Sequence, residues 1–106
     1  MMLLAFAAAA AAAFAAPSAS LKTEIKAALD LVLIDAPSAR FQWQPVRSPQ
    51  AYCAHFNSRN RLGGYSGWTL FCVNTNGEKM KVFLNGTYVD FAVLIAQGHG
   101  YDVDPQ

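Results

Sequence analysis

The sequence predicts an α+β domain: one N-terminal amphipathic helix packed on an antiparallel β-meander of four to five strands. Three observations predict it. Apolar residues recur at helical spacing from Leu21 to Leu33. Runs of alternating apolar residues follow between Arg40 and Leu84, divided by Gly- and Asn-rich turn signals. Two cysteines, Cys53 and Cys72, fall on neighbouring runs in positions that one register brings face to face.

Residues Met1 to Ala16 are all apolar, so the 54% apolar content of the chain falls to about 46% over the remainder, an ordinary globular value. The 106 residues suit a single domain. The leading run is shorter than the roughly 20 residues of a transmembrane helix. Ala13-Phe14-Ala15 supplies a small-residue cleavage signal, so residues 1–15 read as a signal peptide cut after Ala15. No Lys or Arg precedes the run, which leaves an uncleaved anchor helix as the alternative. No cysteine follows it, which argues against a lipid anchor. Residues 16–20 are then a linker, residues 21–97 the domain and residues 98–106 a flexible tail. These features place the mature chain in the periplasm or outside the cell, with no transmembrane span once the leader is removed.

Ser20 is placed to cap the helix, and Leu21, Ile25, Ala28, Leu29, Val32 and Leu33 line its apolar side. Pro37 disfavours helical geometry at Ala36, so the helix should stop by about Asp35. In Arg40 to Val46, alternation turns Phe41 and Trp43 inward, and Pro45 confines this strand to a sheet edge. Pairing Cys53 with Cys72 sets Ala54 opposite Phe71 and Phe56 opposite Thr69. A type I′ turn at Asn76-Gly77 sets Val73 opposite Met80, Phe71 opposite Val82 and Thr69 opposite Leu84. Both pairings put Phe56, Phe71, Val73, Met80 and Val82 on one face. Asn85-Gly86 begins either another hairpin, with Val89, Phe91, Val93 and Ile95 inward, or a helix ended by Gly98. The β-branched and aromatic content favours the strand.

Pro37-Ser38-Ala39-Arg40-Phe41, then Cys53, Asn57-Ser58-Arg59-Asn60 and Gly63-Gly64-Tyr65-Ser66-Gly67-Trp68, occur in that order. In these pieces the chain resembles a group of small exported bacterial proteins with an N-terminal helix, a Pro-x-Ser-Ala-x-Phe step, a Cys-Gly-x-Val-Asn-x-x-Asn segment and Gly-Gly-Tyr-x-Gly. The match spans about residues 25–71. The Pro step is one residue shorter here, Ala54 and Phe56 replace Gly and Val, and Cys72 lies outside the pattern. The resemblance implies export and fold, and no activity.

Export makes Cys53 and Cys72 a disulfide pair, with two reduced, buried thiols as the alternative. The loop from Asn57 to Tyr65 gathers two guanidiniums, two amides, main-chain N–H groups and a Tyr ring. Asn57, Arg59, Asn60, Arg61 and Tyr65, with Trp68, are therefore the candidate contacts for an anionic or sugar-like ligand. The same residue types also serve plain turn chemistry. His55 and His99 are isolated from other metal-ligating side chains, so neither a metal nor a cofactor is expected. A thiol-dependent or hydrolytic enzyme built on Cys53 and His55 is the alternative to a non-enzymatic binding or accessory module. The net charge of +1 gives no reason to expect nucleic acid as a partner. Lys79, Lys81, Trp68, Leu70 and Phe83 form an outer face that either docks an envelope component or another subunit, or is covered by the C-terminal segment.

Overall fold

The computed structural model describes residues 15–86 and 88–106. The predicted signal peptide lies almost wholly outside the described residues. Helix α1 (Ala19–Asp30) is followed by a 3-10 turn (Ala36–Ser38), strands β1 (Arg40–Gln42), β2 (Ala51–Asn57), β3 (Thr69–Asn74) and β4 (Val82–Phe83), and helix α2 (Phe91–His99). The four strands form one antiparallel sheet in the order β1-β2-β3-β4. The predicted α+β class is therefore the observed one, with four strands and a second helix.

The cap of α1 is Ser18 rather than Ser20: its Oγ accepts a hydrogen bond from the Leu21 N–H at 3.1 Å. The helix ends at Asp30, earlier than Pro37 required, and Leu31, Val32 and Ile34 stand exposed after it. Ile25 and Leu29 are fully buried with Tyr52, Phe56, Phe71 and Val73, and Leu33, Met80 and Val82 pack against that core. Phe41 stacks on Trp43 at 4.5 Å and meets Phe71 edge-on at 6.2 Å, while Lys26 of α1 lies over the Phe41 ring. One face of the sheet is thus aromatic and aliphatic, and α1 roofs it.

The β2–β3 register agrees with the sequence reading: Cys53 faces Cys72, Ala54 faces Phe71 and Phe56 faces Thr69. The sulfurs are bonded, with 4.1 Å between the Cα atoms. The β3–β4 register departs by two residues, because Val73 pairs with Val82 in place of Met80. A type I′ turn needs positive φ at both central residues, and here Gly77 has it (φ 90°) while Asn76 does not. Asn74 instead takes over the missing ladder. Its Oδ1 accepts from the Lys81 N–H at 2.6 Å and its Nδ2 donates to the Lys79 carbonyl at 3.1 Å. A shift of two keeps every side chain on its predicted face.

The stretch favoured as a fifth strand is α2. Asn85 explains the change of structure: its Oδ1 accepts from the Val93 N–H at 3.2 Å, supplying a cap that Asp90 does not provide. Gly100, at φ 80°, ends the helix in the left-handed conformation two residues beyond Gly98. Buried Ala92 and Ala96, one helical turn apart, bring α2 close to the sheet, and the Ala92 carbonyl is 3.4 Å from Cys72 Sγ. The centre of the outer face, with Cys53, His55, Leu70 and Cys72, is consequently covered by the C-terminal segment, while Trp68, Lys79 and Lys81 at its margin stay exposed.

Residues 98–106, expected as a flexible tail, are instead pinned. The Tyr101 hydroxyl donates to the Ala51 carbonyl at 2.7 Å and accepts from the Arg47 and Ser48 N–H groups. Gln44 bonds both main-chain groups of Asp102, and Gln42 bonds both of Gln106. The glutamines thus act as an additional strand edge for the main chain of the C-terminal segment, and Tyr101 satisfies main-chain groups that follow Pro45.

Candidate functional site

The loop between β2 and β3 is ordered by its own side chains. Asn60 Oδ1 accepts from the N–H groups of Leu62 and Gly64, and Asn57 Oδ1 accepts from that of Gly67. Both amides are committed to holding the turn, as the plainer reading of their residue types required. Arg61 and Leu62 form the loop tip, with Leu62 almost wholly exposed. Trp68 sits at the far end of the loop, 38% exposed, away from the cleft described next.

Arg59 and Tyr65 behave differently. They pair across the loop as an isolated bridge, and both are tied to the 3-10 turn through Ser38. Ser38 Oγ donates to the Asp35 carbonyl at 2.7 Å and accepts from the Arg59 N–H at 2.9 Å. The Ser38 carbonyl accepts from the Tyr65 hydroxyl at 3.1 Å. One serine therefore locks two segments that lie more than twenty residues apart. The register of β1 on β2, which sets Arg40 opposite Asn57, delivers a third side chain to the same place. The Arg40 guanidinium lies 4.2 Å from the centroid of the Tyr65 ring, and that of Arg59 lies 5.7 Å from it.

These residues line a shallow cleft of about 490 Å³ with Asp35, Pro37, Ser38 and Ala39. A guanidinium drawn over a ring by cation–π attraction still has N–H donors to offer an acceptor that approaches it. Asp35 lines the same cleft and adds an acidic residue to it. The arrangement suits a ligand bearing an anionic group for the arginines and a hydroxyl for the carboxylate. Of the six residues predicted from sequence, Arg59 and Tyr65 meet here; Asn57 and Asn60 build the scaffold, while Arg61 and Trp68 lie outside the lining. Arg40 and Asp35 were missed. The available signal was Arg40's place in the Pro37 step, at the start of a strand that must run beside Asn57.

The alternative centre is closed. Cys53 and Cys72 are joined and fully buried, so Cys53 has no thiol to ionise in the oxidised chain. His55 is 3% exposed and its Nε2 contacts the Val103 carbonyl at 2.7 Å, a structural bond. His99 Nδ1 lies 2.9 Å from Ser48 Oγ. Among the described residues no group of three His, Cys, Asp or Glu side chains is placed to hold a metal ion, and no helix is long and apolar enough to cross a membrane. Comparison with known proteins finds no matching family model, no matching curated protein and no matching solved structure.

Proposed function

We propose that this chain is an exported bacterial envelope protein that works by binding, without catalysis, and that it grips an acidic, hydroxyl-bearing ligand in the cleft between the Pro37 step and the β2–β3 loop. The observation that carries the reading is the convergence of Arg40 and Arg59 on Tyr65, at 4.2 and 5.7 Å, in a cleft that also presents Asp35. Two arginines drawn over one ring have less rotamer freedom left to lose when a carboxylate or phosphate arrives, so their geometry favours capture. The disulfide supports residence in an oxidising compartment, the periplasm or the exterior.

The test is titration with an acidic oligosaccharide and with inorganic phosphate, followed by capture of ligands from the native envelope. Arg40→Ala combined with Arg59→Ala should weaken binding at least ~10-fold, in line with loss of charged hydrogen-bond donors. Arg61→Ala should leave it unchanged. Equal affinity in the double variant and the parent for every captured ligand would refute the assignment.

A further inference from the structure

Helix α2 is apolar on nearly all sides, yet only one side is covered. Ala92 and Ala96 face the sheet, whereas Phe91 and Leu94 are 53% and 59% exposed. A helix of such composition belongs within a packed interior, of a protein or of an assembly. Phe91, Leu94 and Gly98 fall at i, i+3 and i+7, so they share one stripe. Tyr88 and Val89, 96% and 40% exposed, stand just ahead of the helix. Within Phe91–His99 there is no Lys, Arg, Asp or Glu.

We infer that this stripe docks a second copy of the chain, the two α2 helices crossing antiparallel about a two-fold axis near Leu94. Shape favours it. An antiparallel crossing brings Phe91 of each copy over Gly98 of the other, and a Cβ built on Gly98 meets nothing within 4 Å, so room for the ring is open. Charge favours it as well. An uncharged stripe meets its own copy without like-charge repulsion, and the antiparallel arrangement sets the start of one helix beside the end of the other, so the two helix dipoles oppose. The area matches a weak association: the four exposed apolar residues present about 500 Å² per copy, so a pairing that covers all of them removes about 1,000 Å², the size of a transient interface. A lipid surface fits less well, because the stripe lacks the cationic border of an interfacial helix. This inference is independent of the arginine cleft.

Sedimentation velocity of the protein recovered after export, with its processed form read by mass spectrometry, tests it. The parent should be a dimer by ~100 μM, the weak end of specific association. Leu94→Asp and Leu94→Arg should each be monomeric there, with the dimer dissociation constant raised ~100-fold or more. An equimolar mixture of the two should dimerise again, because opposite charges then meet across the axis. Gly98→Met, on the exposed side, should weaken association ~10-fold and serves if the Leu94 variants lose their circular dichroism. A parent that stays monomeric at ~1 mM overturns the inference. So does a dimer indifferent to these substitutions, a mixture that stays apart, or a monomer that instead sediments with zwitterionic lipid vesicles.

Discussion

The two faces of the sheet are closed by different chemistry. Beneath α1, the space is filled by volume: Tyr52, Phe56, Phe71 and Val73 meet Ile25 and Leu29. Beneath α2, the side chains are mostly small or polar, and closure comes from the disulfide, His55, two alanines and a border of side-chain to main-chain hydrogen bonds. A domain this short buries too little surface for two bulky cores. It builds one, then seals the reverse with covalent and polar contacts.

That contrast can be broken most severely on the aromatic side. Phe71→Ala should cost about 3–5 kcal/mol in urea unfolding, because the ring is fully buried and touches both Phe41 and Phe56. A loss below ~1 kcal/mol would mean that α1 does not roof a rigid core. On the opposite face, replacing Cys53 and Cys72 by Ala should cost about 3 kcal/mol, as expected for a bridge across 19 residues.

Alkaline titration sharpens the comparison. Burial pushes the Tyr52 hydroxyl from 10.0 up to about 12, against the opposing effect of its bond from Gln44. A pKa raised on folding gives stability that is complete below the unfolded value and is lost as pH climbs through the folded one. Unfolding experiments should therefore show a decline between pH 10 and about 12 that Tyr52→Phe flattens. The smallest change belongs to the polar border. Tyr101→Phe should cost about 1–3 kcal/mol, by leaving the Ala51 carbonyl and two N–H groups without their partner. It should also speed amide exchange across residues 98–106 while leaving β3 protected.

The aromatic face was readable in the sequence because period-2 alternation and the cysteine register each specify it and agree. The turn at Asn76-Gly77 was readable in place but not in width, since Asn74 offered its side chain as a substitute ladder and released Asn76 from positive φ. Helix α2 was harder. A segment apolar at nearly every position satisfies periods of 2 and 3.6 equally, and only the four-residue spacing of Ala92 and Ala96 marked the side that had to approach the sheet. The cleft was half visible: Arg59 and Tyr65 announced themselves in a Gly-rich loop. Arg40 depended on which strand lay beside that loop, a fact that resides in the pairing of β1 with β2.

The sulfur bridge beneath Ala92 makes α2 a shutter. Both cysteines are shut off from solvent, so a dissolved reductant reaches them only while the C-terminal segment is lifted from the sheet. The rate at which a mild thiol cleaves the bond under native conditions is then a clock for that lifting, and anything that grips α2 from outside should slow the clock.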